Sequence, residues 1–200
     1  MLITCLIKRN KRLGLFLAIV AYGVVTCLAN ATAQSAAVGP ITVHLNSGEI
    51  LQAHTQTGQT ILKIIPPKAS PLTLALGRDS TVSPLEPVYA LNIIGDIPGS
   101  ALIESDTYWS MPGGLSMCQS GQEQFLRVIT ITKHKAREAL RLKIGSCINN
   151  VQLASPGIQW SPKTGILQIH WLLGPDGKEQ LDDQTYRITE TGQVQPRTSH

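Results

Sequence analysis

The sequence predicts an all-β fold, a single-domain antiparallel sandwich or irregular barrel, and three observations predict it. No window of helical length carries apolar residues at the i, i+3, i+4, i+7 spacing. Short β-branched runs recur, bounded by Gly, Pro, Asn and Asp. Several of these runs alternate apolar and polar residues with period two, the pattern of a half-buried strand.

Taken in order, Ile41, Val43 and Leu45 alternate with Thr42 and His44, and Asn46-Ser47-Gly48 turns into Glu49–Gln52, a predicted hairpin. Thr60–Ile65, Leu72–Leu76 and Val88–Ile94 are further predicted strands. Five of the 12 prolines (66, 67, 71, 84 and 87) fall in the stretch from Pro66 to Pro87. Proline cannot donate to a ladder, so these segments are expected as edges or loops, and residues 34–87 as the looser part of the domain. Residues 88–200 are expected to form the regular core, with strands at Ala101–Ile103, Phe125–Ile131, Ala139–Ile144, Asn150–Leu153, Gly165–Leu173 and Thr185–Thr189. In Gly165–Leu173, Leu167, Ile169, Trp171 and Leu173 share one face, with Gln168 and His170 on the other. Gly174-Pro175-Asp176-Gly177 is a turn in which Pro presets φ and Gly takes a positive φ. Along Ala139–Ile144 the pattern places Leu140, Leu142 and Ile144 inward and Arg141 and Lys143 toward water.

Ahead of this domain stands a segment of different character. Lys8, Arg9, Lys11 and Arg12 precede an almost wholly apolar run, Leu13–Leu28, and small residues follow at Ala31-Thr32-Ala33. That order is a secretory signal peptide over residues 1–33, with Gln34 as the expected mature start and Thr32 as the second candidate. An anchor retained in the membrane calls for about 18–20 clean apolar residues, more than this run supplies. Lipidation at Cys27 calls for a smaller residue than Thr26 before the cysteine. The expected location is therefore periplasmic or secreted, with no stable membrane span after cleavage.

Export changes the charge argument. Four of the 17 Lys and Arg residues lie in the leader, so the remaining 13 balance the 13 Asp and Glu. A nucleic-acid partner needs a basic stripe to neutralise phosphates, and a neutral mature chain excludes that class. Of the four cysteines, Cys5 and Cys27 leave with the leader. Cys118 and Cys147 are expected to pair in an oxidising compartment, closing a loop of about 30 residues that stabilises the fold by roughly 3–4 kcal/mol. The bridge would pin the open end of the hairpin formed by Phe125–Ile131 and Ala139–Ile144.

The stretch Tyr108–Cys118 is the densest in unusual residues: Tyr108, Trp109, Met111 and Met117 around Pro112-Gly113-Gly114. Aromatic and Met side chains on a Gly-containing loop are typical binding anchors, so Tyr108, Trp109, Met111, Ser116 and Met117 form the candidate binding set. The competing reading makes Tyr108 and Trp109 core plugs at a strand end. No catalytic residue is assigned. Gly114-Leu115-Ser116-Met117-Cys118 lacks the closing glycine of a nucleophile elbow. A loop-assembled hydrolase using Ser116 or Ser120 with His134 or His170 is the alternative class. The five histidines show no metal-ligand spacing, Gly174–Lys178 lacks the alternating carboxylates of a calcium loop, and no cofactor motif occurs. The composition and the loop thus point to an exported binding or inhibitory module for an envelope protein or glycan.

Overall fold

The computed structural model describes residues 39–84, 86–111, 121–179 and 183–197. The predicted leader, Ser116, Met117, Cys118 and Ser120 lie outside the described residues. The chain is all-β, built from three four-stranded antiparallel sheets in which sequence neighbours pair in order. Sheet 1 holds β1 (Ile41–His44), β2 (Ile50–Gln56), β3 (Gln59–Ile65) and β4 (Leu72–Leu76). The middle sheet holds β5 (Ala90–Ile97), β6 (Ala101–Trp109), β7 (Gln122–Thr132) and β8 (Lys135–Ser146). Sheet 3 holds β9 (Gln152–Ser161), β10 (Ile166–Leu173), β11 (Gln184–Ile188) and β12 (Val194–Arg197).

Turn chemistry accounts for this meander. The predicted Asn46-Ser47-Gly48 turn closes with the Gly48 N–H donating to Leu45 O at 3.0 Å. Between β2 and β3, Thr57 and Gly58 both take positive φ (46° and 78°), the tight turn whose twist matches two antiparallel strands. The Pro-rich connection leaves Pro66, Pro67, Pro71, Pro84 and Pro87 outside every ladder, and β4 is an edge strand. Pro156 does lie in a strand, but β9 is also an edge.

Alternation along the middle sheet creates two cores rather than one. Leu102, Tyr108, Phe125 and Ile129 join Leu51, Ala53, Leu62 and Ile64 of sheet 1 in a first buried cluster. Ala101, Ile103, Leu126, Val128 and Ile144 face the other way and join Leu167, Ile169, Trp171, Tyr186 and Ile188 of sheet 3. Burying each such Leu or Ile contributes roughly 1.5–3 kcal/mol, so both outer sheets are held on mainly by apolar contact. A glycine permits one close approach: a Cβ on Gly95 of β5 would lie 2.2 Å from the Trp160 ring of β9.

Several elements extend beyond their sequence-based limits. The expected strand Ala101–Ile103 continues through Trp109, and Asn150–Leu153 becomes the ten-residue β9. The polar tail pairs as β12 against β11. One orientation needs correcting: Lys143 does not face water. Its side chain is 9% exposed and points to the first-core face with Phe125, its register partner across the ladder. Burial is tolerated there because two carboxylates meet the ammonium.

Candidate functional site

The site is assembled where β6 ends and β7 begins. Trp109 is the last residue of β6, opposite Gln122 at the start of β7. Its backbone is also held from the other side, where the Ser83 N–H donates to Trp109 O at 3.2 Å. The Met111 N–H donates to Thr81 O at 2.6 Å, and Val82 bridges Ser110. The segment Asp79–Ser83 thus clamps the end of β6 as an added strand would. Trp109 is half-buried, and its ring lies 5.0 Å from that of Tyr89 at a tilt of 52°. Tyr89 is 55% exposed, and it is the exposed large apolar side chain that has an aromatic neighbour.

Beneath the clamp lies a polar cluster. Lys143 Nζ sits 2.6 Å from Asp79 Oδ2 and 3.2 Å from Glu123 Oε2, and it donates to Thr81 Oγ1 at 2.6 Å. The Ser110 hydroxyl donates to Glu123 Oε1 at 2.8 Å. Burial alone would raise the Asp79 carboxyl, but hydrogen bonds from Lys143 and Thr81 outweigh it and hold it below the usual carboxylate range. The cluster ties the segment after β4 to β7 and β8, so the Tyr89–Trp109 pair stands on a fixed base.

A second charged group lies deeper in the first core. Glu104, Asp106 and Arg127 are all fully buried, with Glu138 at its margin. The Arg127 guanidinium donates through Nε to both Asp106 oxygens at 3.0 Å and reaches Glu138 through its Nη1. The Tyr108 hydroxyl also donates to Asp106, while Arg78 stacks over the Tyr108 ring at 4.5 Å. Neither Glu104 oxygen has a hydrogen-bond partner, and the nearest cationic nitrogen, Arg127 Nε, is 3.6 Å away. Burial pushes the Glu104 carboxyl well above the ordinary range, and the Asp106 charge pushes the same way. Burial raises Asp106 too, against the opposing pull of Arg127 and Tyr108. Closed off from solvent, this group is a feature of the core and not a surface for a ligand.

The structure divides the candidate binding set. Tyr108 is a core residue, fully buried against Phe125 at 6.0 Å, whereas Trp109 and Met111 are half-buried at the clamped end. Ser116 and Met117 lie outside the described residues. For the hydrolase alternative, His134 sits in the exposed β7–β8 turn, and Ser116 and Ser120 lie outside the described residues. His170 is engaged on the outer face of sheet 3, 2.8 Å from Asp183 Oδ1 and 3.1 Å from Gln159 Oε1. No cluster of three or more His, Cys, Asp or Glu residues able to hold a metal occurs among the described residues.

Sequence reasoning missed Tyr89, and it missed the burial of Glu104, Asp106, Glu123 and Arg127. A signal for the latter exists: continuing the period of two past Ile103 places Glu104 and Asp106 in line with Leu102 and Tyr108. Compared with protein-family models, with curated proteins and with solved structures, the chain matches none.

Proposed function

We propose that the protein is an exported envelope module that binds a partner through the Tyr89–Trp109 end of its middle sheet. The observation that carries this reading is the aromatic pair itself, with one ring exposed and the other clamped by backbone on two sides. A held aromatic loses little side-chain freedom on binding, which is why such residues dominate contact energies. Export rests on the basic, apolar and small-residue order of residues 1–33. Among the described residues, no helix is long and apolar enough to cross a membrane.

The Cys118–Cys147 bridge belongs to this proposal. Cys147 follows directly after β8, and a Cβ on Gly121 would lie 2.6 Å from the Cys147 Cβ. A bond there would tie the segment between β6 and β7 to the end of β8, beside the aromatic pair.

The test is retention of envelope material by immobilised, oxidised protein, with Trp109→Ala and Tyr89→Ala run beside wild type. Each variant must first match wild type in near-UV circular dichroism. Loss of at least tenfold in retention by either folded variant is expected, the cost of a typical contact hot spot of about 2 kcal/mol or more. Retention indifferent to both substitutions would refute the assignment.

A further inference from the structure

We infer that a cleft at the end of the molecule opposite the aromatic pair binds a phosphate ester of sugar size. The cleft lies where the β9–β10 turn (162–165), the β11–β12 turn (189–193) and the last residue of β5 meet. It encloses about 410 Å³, and Ile97, Pro162, Lys163, Thr164, Arg187 and Glu190 are among the residues that line it. Small-molecule sites run from roughly 300 to 1,000 Å³, so one sugar ring with its substituent fits. Ile97 ends β5 and Tyr89 precedes it, which separates the two places by about 26 Å along the strand. This is a second site, independent of the binding reading above.

The walls are fixed by the backbone. Gly165 takes a φ of 66°, and a Cβ there would lie 2.4 Å from Ile188 O, whose own N–H donates to Gly165 O at 2.7 Å. Gly192 takes a φ of 76°, and a Cβ there would lie 2.4 Å from Ser100 O in the β5–β6 turn. The Thr130 hydroxyl of β7 donates to Gly192 O at 2.7 Å, so the β11–β12 turn is docked on the middle sheet. Both turns are thus held by contacts that only glycine allows, and the cleft between them is formed in advance of any ligand.

Charge selects the ligand. Residues 34–200 carry equal numbers of basic and acidic side chains, so a concentration of cations is segregation rather than excess. Lys163 and Arg187 line the cleft, and Arg137 stands beside it, paired across the ladder with Thr130. Lys133 and Lys135 follow at the exposed β7–β8 turn. Glu190 is the acid among them, while Glu49 and Asp96 line a separate recess with Leu45 and Ile64 on the side of sheet 1. At the aromatic end the lysines are matched instead: Lys143 meets Asp79 and Glu123, and Lys178 meets Asp176. A cleft rimmed by like charges focuses their field and draws in anions. The Arg187 fork and the Lys163 ammonium suit the several oxygens of a phosphate, with the Thr164 hydroxyl as a further donor. Glu190 would oppose a bare anion but accepts from a ligand hydroxyl, and Ile97 and Pro162 offer apolar contact to a ring. These two features favour a hydroxylated ester over free phosphate.

Isothermal titration with hexose 1- and 6-phosphates tests the inference, with inorganic phosphate, glucose and glucuronate run as comparisons. At least one hexose phosphate is expected to bind more tightly than all three, with an affinity that falls as salt rises from about 0.05 to about 0.5 M. The paired substitution Lys163→Gln and Arg187→Gln is expected to weaken it at least tenfold, with near-UV circular dichroism unchanged. Lys178→Gln removes a charge at the other end and is expected to leave it unchanged, as is Tyr89→Ala. No binding by any hexose phosphate, or binding indifferent to the Lys163 and Arg187 pair, would overturn the site. Equal binding of inorganic phosphate, glucose or glucuronate would overturn the ligand class.

Discussion

Replacing Arg127 by methionine is expected to destabilise the fold by about 3–5 kcal/mol, or to prevent it from forming, because the buried Asp106 carboxyl would lose its charge and hydrogen-bond partner. Arg127 is the fully buried cation of the first core, and Glu104 and Asp106 are equally inaccessible. Asp106 accepts the guanidinium fork, which opposes the burial that raises its carboxyl, so removing the fork leaves that carboxyl without its cation in apolar surroundings. Loss of packing is a smaller part of the effect, since methionine retains much of the stem that lies against Phe125. The triple variant Glu104→Gln, Asp106→Asn, Arg127→Met separates the two contributions. It is expected to recover most of the stability measured by urea unfolding, because no uncompensated charge remains. Failure to recover would show that shape rather than charge governs the site.

Glu104→Gln alone is expected to stabilise the protein progressively as pH rises. The Glu104 carboxyl is raised in the folded state by burial and by Asp106, so the folded protein retains a proton that the unfolded chain releases above about pH 4.5. Stability from this group is therefore complete below the unfolded value and is lost as pH climbs toward the folded value. The slope is at most about 1.4 kcal/mol per pH unit. Glutamine keeps the shape of the neutral acid and has no proton to lose. Urea unfolding of wild type and variant between pH 4 and pH 9 should give curves that meet at the acid end and diverge toward the alkaline end. Parallel curves would mean that Glu104 is ionised in the fold. Asp79 contributes with the opposite sign: its carboxyl is held low, so its share is lost as pH falls.

The legible part of the fold was the part governed by period two and by turn residues. Leu167, Ile169 and Trp171 are buried while His170 lies on the outer face, and Gly174–Gly177 turns as its Pro and Gly dictate. The strand ends were not legible where burial overrides residue type. Glu104-Ser105-Asp106-Thr107 reads as a polar loop, yet it is the middle of β6, because Arg127 and Tyr108 satisfy what apolar neighbours cannot. Lys143 was placed in water for the same reason: a single strand shows its charge but not Asp79 or Glu123, which approach from 64 and 20 residues away. The division into three sheets was also out of reach, since alternation along the middle sheet looks the same whether one face is covered or two.

At the candidate site, Trp109 was visible as an unusual residue, and its neighbour Tyr108 was a core plug of the competing kind. Alternation separates the two, because adjacent strand residues point to opposite faces. Tyr89 fell inside the predicted strand Val88–Ile94 with nothing to mark it as a site residue; in the structure it precedes β5 and meets Trp109 beside the pairing of β5 with β6.

The central claim is that the Tyr89–Trp109 face is where this protein meets its partner. Amide chemical-shift mapping of isotopically labelled protein spanning residues 34–200, titrated with solubilised envelope material, tests it most directly. The account predicts shifts concentrated at Tyr89, Trp109, Ser110, Met111 and Gln122, and absent from the outer face of sheet 3 around Gln159 and His170. Shifts confined to sheet 3, or to the charged end of the β7–β8 turn, would contradict it.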